Sequence, residues 1–232
     1  MCLLIAIETA NTLGWHAGPV NSLPMGALTM NASMQRLQDQ LAASDLPPST
    51  ASRTVIAGHA EPSALMLREA GVADPVWIEI VRQHDDSLKG HALDELTAPQ
   101  SAAWLLRRAD IFTAELSCRA TRGPMSPVQA ARQACLRPNG TPDEIGAALL
   151  NAVGLYPPGS FVEWVNGEIC IGVACGPCAN LPVVAVLIGA DGVHRGNAMQ
   201  RDSNDRRFAI KGAVSAAKLR VTPPYEVLLA RR

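Results

Sequence analysis

The side chains with the most chemical potential in this chain gather in ADIFTAELSCRATRGPMSP, from Ala109 to Pro127. An apolar helix carries the acid Asp110 and is followed by Arg119, Arg122 and a Ser-Pro break. Two guanidinium groups three residues apart suit a phosphate through bidentate hydrogen bonds. They equally suit pinning a helix end by ion pairs or backbone caps. Both readings stand.

A second group is made of thiols: Cys170, Cys175 and Cys178, which include the string CGPC. In a redox enzyme such a string opens a helix whose N-terminus stabilises a thiolate. Here it lies between two strand-like runs, VNGEICIGVA and LPVVAVLIG, so Gly176 and Pro177 read as turn residues. Three thiols could also hold zinc, but a fourth ligand at finger-like spacing is missing. The expectation is a hairpin turn, with redox and zinc chemistry as the alternatives.

The elements that position these groups follow from periodicity. Helices are expected at 3–13, 22–42, 51–70, 75–84, 99–117, 126–136 and 142–153, with a Pro/Ser/Thr-rich loop at 43–52. Within 51–70, Ile56, Leu65 and Leu67 mark the expected apolar side. At Gly154 the texture changes to alternation, and Asn166-Gly167 is a strong hairpin signal. Strands are expected at 182–189, 207–214 and 218–222. The predicted architecture is therefore mainly α: a helical domain over 1–153, followed by a small β-hairpin-rich module over 154–232.

Composition narrows the function classes. The 232 residues are 48% hydrophobic and only 4% aromatic, so Leu, Ala, Val and Met must build the core. Twenty basic residues against 21 acidic ones leave no basic excess, which argues against a nucleic-acid partner. The apolar run at the start is short and carries Glu8, so neither a signal peptide nor membrane insertion is expected. A cytoplasmic location and reduced cysteines follow as expectations.

The segment 109–127, together with AVGLYPPGSFVEWVNGEICIGVA, resembles the HD-GYP domains, bacterial phosphodiesterases that open cyclic di-GMP at a metal centre. The resemblance extends over nearly the whole chain and is sharpest at 109–127 and 152–169. It implies an HD-type helical bundle whose histidines and carboxylates converge on two cations. His59 matches the family's lone histidine, His84 the first of a His-His pair with Asp85 in place of the second, and Asp110 the helix aspartate. Each of these, taken alone, reads first as a hydrogen-bonded structural residue; jointly, at the family's spacing, they point to a metal site.

The same resemblance exposes what is missing. The family's His-Asp pair falls on Met30 and Asn31, and the position just after on Met34; a rival register gives Leu23 and Pro24. Thioether sulfur favours copper(I) over manganese, iron or magnesium. Asn is a neutral, poor bridge between cations. The Gly-Tyr-Pro signature is replaced by Ala92, Leu93 and Asp94, with His91 beside it as a solvated loop histidine or a compensating ligand. The implied protein is a degenerate, catalytically impaired relative that acts by binding. Its expected ligand is cyclic di-GMP, held through Arg119 and Arg122, or a signalling protein. No cofactor is expected beyond at most one divalent manganese, iron or magnesium ion, held by His59, His84, Asp85 and Asp110. An active phosphodiesterase with an altered metal site and an HDOD-like adaptor are the alternatives.

Overall fold

A computed structural model describes residues 1–15, 18–86, 92–117, 125–202 and 209–215, with isolated residues beyond. The N-terminal part is helical: α1 (Cys2–Thr12), α2 (Pro19–Thr29), a 3-10 turn (Ala32–Met34), α3 (Gln35–Ala42), α4 (Thr50–Ala57), α5 (Ala60–Glu69) and α6 (Pro75–Gln83). After a second 3-10 turn (Leu93–Glu95) come α7 (Ala98–Leu116), α8 (Pro127–Cys135) and α9 (Glu144–Val153). The strands follow: β1 (Phe161–Trp164), β2 (Ile169–Ala174), β3 (Val183–Ile188), β4 (His194–Asp202) and β5 (Ile210–Val214). The chain is mainly α with one antiparallel sheet, as its periodicity predicts.

Two expected helices are each broken in two, and both breaks serve the same place. The helix expected over 22–42 ends after Thr29, where Asn31 leaves helical geometry. Tertiary bonds hold the break: the Ser33 N–H donates to Ser63 Oγ at 3.1 Å, and the Ser33 hydroxyl to the His59 carbonyl at 2.9 Å. The helix expected over 51–70 stops at Gly58 and restarts at Ala60, leaving His59 at the joint. Its apolar side also differs in part from expectation. Leu65 is exposed, whereas Leu67 packs with Ala64 on Ile78 and Val81 of α6 as expected, because two positions along a helix turn about 200° and put Leu65 and Leu67 on opposite faces.

Caps set the remaining starts. The Asp74 carboxylate accepts from the N–H groups of Val76 and Trp77, with Pro75 at the first position of α6. A second Asp74 oxygen takes the Ser22 hydroxyl at 2.6 Å and ties α2 to α6. Farther on, Arg108 of α7 reaches the Ala134 carbonyl and the Asp143 carboxylate. Asp143 in turn accepts the Gly146 N–H at 2.8 Å, so one buried guanidinium organises the start of α9.

The sheet runs in the order β4-β3-β2-β1-β5, each neighbouring pair antiparallel. The β1–β2 hairpin turns at Asn166-Gly167, as its sequence predicts. Alternation sorts the strands into two faces. Val162, Trp164, Cys170, Val184 and Val186 pack on one side; Ile171, Ala185 and Leu187 pack on the other, joined by Leu228. The strand β4 was not anticipated. Its sequence, HRGNAMQRD, lacks apolar alternation, and backbone pairing to β3 creates it. Of the expected strands, 207–214 is described only from Ile210, and 218–222 lies almost wholly outside the described residues.

The chain divides into two compact units: Met1–Met125 with Gln133–Leu149, and Ser126–Arg132 with Leu150–Arg232. The boundary expected after residue 153 thus falls four residues earlier, and most of α8 groups with the sheet unit.

Candidate functional site

Two buried histidines of the helical unit come from different elements and meet. His59, at the joint before α5, and His84, at the end of α6, are 6% and 3% exposed. Their Nε2 atoms are 3.0 Å apart, and the rings meet edge to face with centroids 4.8 Å apart. Each ring is held from behind by a helix-end carbonyl. His59 Nδ1 lies 2.6 Å from the Ile56 oxygen, and His84 Nδ1 lies 2.7 Å from the Val81 oxygen.

These contacts define a proton deficit. A carbonyl oxygen only accepts, so each Nδ1 must carry the hydrogen. Two neutral imidazoles own two N–H protons, and both are then committed to the carbonyls. The third contact, Nε2 to Nε2, faces lone pair to lone pair unless a cation stands between them. Burial pushes the His84 pKa below the ordinary imidazole value, and the neighbouring His59 adds to that push, while the Val81 carbonyl opposes it. Burial thus favours an uncharged His84 ring in a contact whose geometry calls for a positive charge.

The other expected ligands are placed differently. Asp85 follows His84, but its carboxylate pairs with Arg107 of α7 at 2.5 Å. Asp110 lies one turn beyond Leu106 on α7, the residue that approaches Gly26 of α2. The Asp110 charge is felt by Cys2, whose thiol is pushed up to about 12 mainly by burial. Among the described residues, no group of three or more His, Cys, Asp or Glu side chains is arranged to hold a metal ion. The expected set of four therefore resolves into an imidazole pair, an ion-paired Asp85 and a separate Asp110.

Met30 and Asn31, which take the family's His-Asp positions, lie in the break after α2, within three residues of the Ser33 bond to His59. Met30 and Met34 are buried. Arg119, Arg122 and His91 lie outside the described residues. In the sheet unit, Cys170 is buried in one face of the sheet, whereas Cys175 and Cys178 are exposed on the loop between β2 and β3. That loop is a turn: the Leu181 N–H closes on the Cys178 carbonyl at 2.9 Å. A Cβ on Gly176 would stand 1.6 Å from the Leu181 oxygen, so only glycine fits there. The string CGPC therefore opens no helix, as expected from its setting.

Sequence reasoning named both histidines but missed Ser33, Ser63 and Arg107, which fix the surroundings of the pair. The serines' only signal was their place in stretches read as continuous helix. Among the described residues, no helix is long and apolar enough to cross a membrane. No family model, no curated protein and no solved structure matches this chain.

Proposed function

We propose that this chain is a degenerate HD-GYP-type domain of cyclic di-GMP signalling that acts in the cytoplasm by binding nucleotide or a protein partner, with hydrolysis impaired. One observation carries the reading. His59 and His84, two histidines that the resemblance assigns to a single centre, meet at 3.0 Å although 25 residues separate them. The break at Met30 and Asn31 is fastened to the same histidine through Ser33, as a shared centre requires.

The donor set does not fit two hard divalent cations. Such a centre needs a carboxylate bridge to offset repulsion between the ions. Asn31 supplies no charge, Asp85 is engaged by Arg107, and Asp110 joins no cluster with the imidazoles. No hydrolytic step is therefore assigned.

The test pairs a cyclic di-GMP hydrolysis assay in manganese, iron or magnesium with calorimetric titration of the nucleotide. The expected outcome is binding without turnover. Robust turnover abolished by Asp110→Ala would establish an active phosphodiesterase instead. Absence of both binding and turnover would leave an adaptor of the HDOD type.

A further inference from the structure

We propose that Asn139 is a self-modification site, at which the Gly140 backbone nitrogen converts the Asn139 amide through a cyclic imide to aspartate and isoaspartate, assisted by the Thr141 hydroxyl. The inference is independent of the cyclic di-GMP reading.

The chain contains two Asn-Gly pairs, and both sit in turns of the same construction. The Gly140 N–H donates to the Arg137 carbonyl at 2.9 Å, and the Arg137 N–H to the Thr141 carbonyl at 2.8 Å. In the β1–β2 hairpin, the Gly167 N–H donates to the Trp164 carbonyl and the Trp164 N–H to the Glu168 carbonyl, each at 2.9 Å. Both glycines take positive φ, 81° and 87°, and a Cβ on either would meet nothing within 4 Å. Asn139, Gly140, Asn166 and Gly167 are all exposed. Each glycine nitrogen is therefore unshielded by a side chain and reachable by water.

One difference separates the two turns. The Asn139 side-chain oxygen accepts from the Thr141 N–H at 3.0 Å and from the Thr141 hydroxyl at 2.8 Å. The Asn166 oxygen accepts from the Glu168 N–H at 3.0 Å, and Glu168 has no hydroxyl to add. In both turns this bond folds the asparagine side chain forward, toward the glycine nitrogen that lies between its two ends. At Asn139 the second donor also aims at the oxygen on which negative charge develops when that nitrogen attacks.

The reaction needs no co-reactant but water. The Gly140 nitrogen leaves the Arg137 carbonyl, gives up its proton and bonds to Asn139 Cγ. The bond from Cγ to Nδ2 breaks, and the amide nitrogen departs as ammonia with that proton. Water then opens the imide. Opening at Cγ gives aspartate; opening at the main-chain carbonyl gives isoaspartate, which inserts a methylene into the backbone. That second product lengthens the connection between Leu136 and Pro142, which pair across this turn just ahead of Asp143, the partner of Arg108.

The experiment ages the full chain in mildly alkaline buffer and follows amide-to-acid conversion at each Asn-Gly pair by peptide mass spectrometry. Isoaspartate is read by enzymatic methylation. Asn139 should convert faster than Asn166. Thr141 is exposed, so Thr141→Val removes the hydroxyl and leaves the core untouched. It should slow Asn139 by about two- to tenfold, the range one hydrogen bond supplies, and leave Asn166 unchanged. In urea, where the turn is lost, the same substitution should make no such difference. An unchanged Asn139 rate in folded Thr141→Val, or Asn166 converting as fast as Asn139, would overturn the role of the hydroxyl. Asn139 left intact while the urea-unfolded chain converts would overturn the site, because the turn would then protect the amide.

Discussion

The two units of this protein treat their chemically suggestive residues in opposite ways. In the sheet unit, three cysteines within nine positions come apart: Cys170 packs into a face of the sheet while Cys175 and Cys178 face solvent on a turn. In the helical unit, two histidines 25 positions apart are brought to 3.0 Å and sealed from water. Closeness along the chain thus says little about closeness in space. A strand sends neighbours to opposite faces and a turn points outward, whereas helix ends from separate elements can converge on one point. The same contrast runs through the ion pairs. The Arg108–Asp143 pair is buried, with side chains 9% and 16% exposed, and the Lys211–Glu163 pair of the sheet unit is 63% and 35% exposed.

The largest expected effect separates the cysteines. Burial pushes the Cys135 thiol up to about 12, as it does Cys2, so at pH 8 almost none is thiolate. Relative to a free thiol of pKa about 8.5, the reactive fraction falls by about a thousandfold or more. Iodoacetamide labelling of the native protein, mapped by peptide mass spectrometry, should modify Cys175 and Cys178 long before Cys2 and Cys135. Equal rates at all four would mean that the helical unit opens readily, and the contrast between the units would be lost.

Next in size is the buried guanidinium. Arg108 serves the Ala134 carbonyl and the Asp143 carboxylate while its group lies 4.9 Å over the Trp104 ring. Arg108→Met keeps the apolar length and removes the charge, stranding a carboxylate and a carbonyl. Breaking one side of a buried pair costs about 3–5 kcal/mol. Arg137, whose Nε is 3.9 Å from Asp143, offsets part of this, so the lower end is expected. Urea unfolding followed by helical circular dichroism measures it. A change under about 1 kcal/mol would place this pair with surface ion pairs in energetic terms.

What was legible in the sequence divides along the same line. The change from helical to alternating periodicity at Gly154 and the Asn166-Gly167 turn were readable because both are local. The breaks at Asn31 and Gly58 were not, because bonds between remote segments make them: Ser33 to Ser63 and Ser33 to His59. The strand β4 was hidden for a related reason, since its partner β3 and not its own pattern creates it. For the candidate site, resemblance located His59 and His84 but could not foresee that Arg107 would engage Asp85.

The smallest expected effect is at the other end of the contrast. Lys211 of β5 donates to Glu163 of β1 at 2.7 Å across neighbouring strands, a short contact by distance alone. Its energy is nevertheless set by solvent. The ammonium remains largely hydrated, the lysine loses side-chain entropy in forming the pair, and salt screens what attraction is left. Lys211→Ala should therefore shift stability by less than about 1 kcal/mol, and that shift should vanish in about 1 M salt. Thermal unfolding of the variant and the parent chain at low and high salt reads both quantities. A loss as large as that of Arg108→Met, or one indifferent to salt, would show that burial does not rank these two pairs.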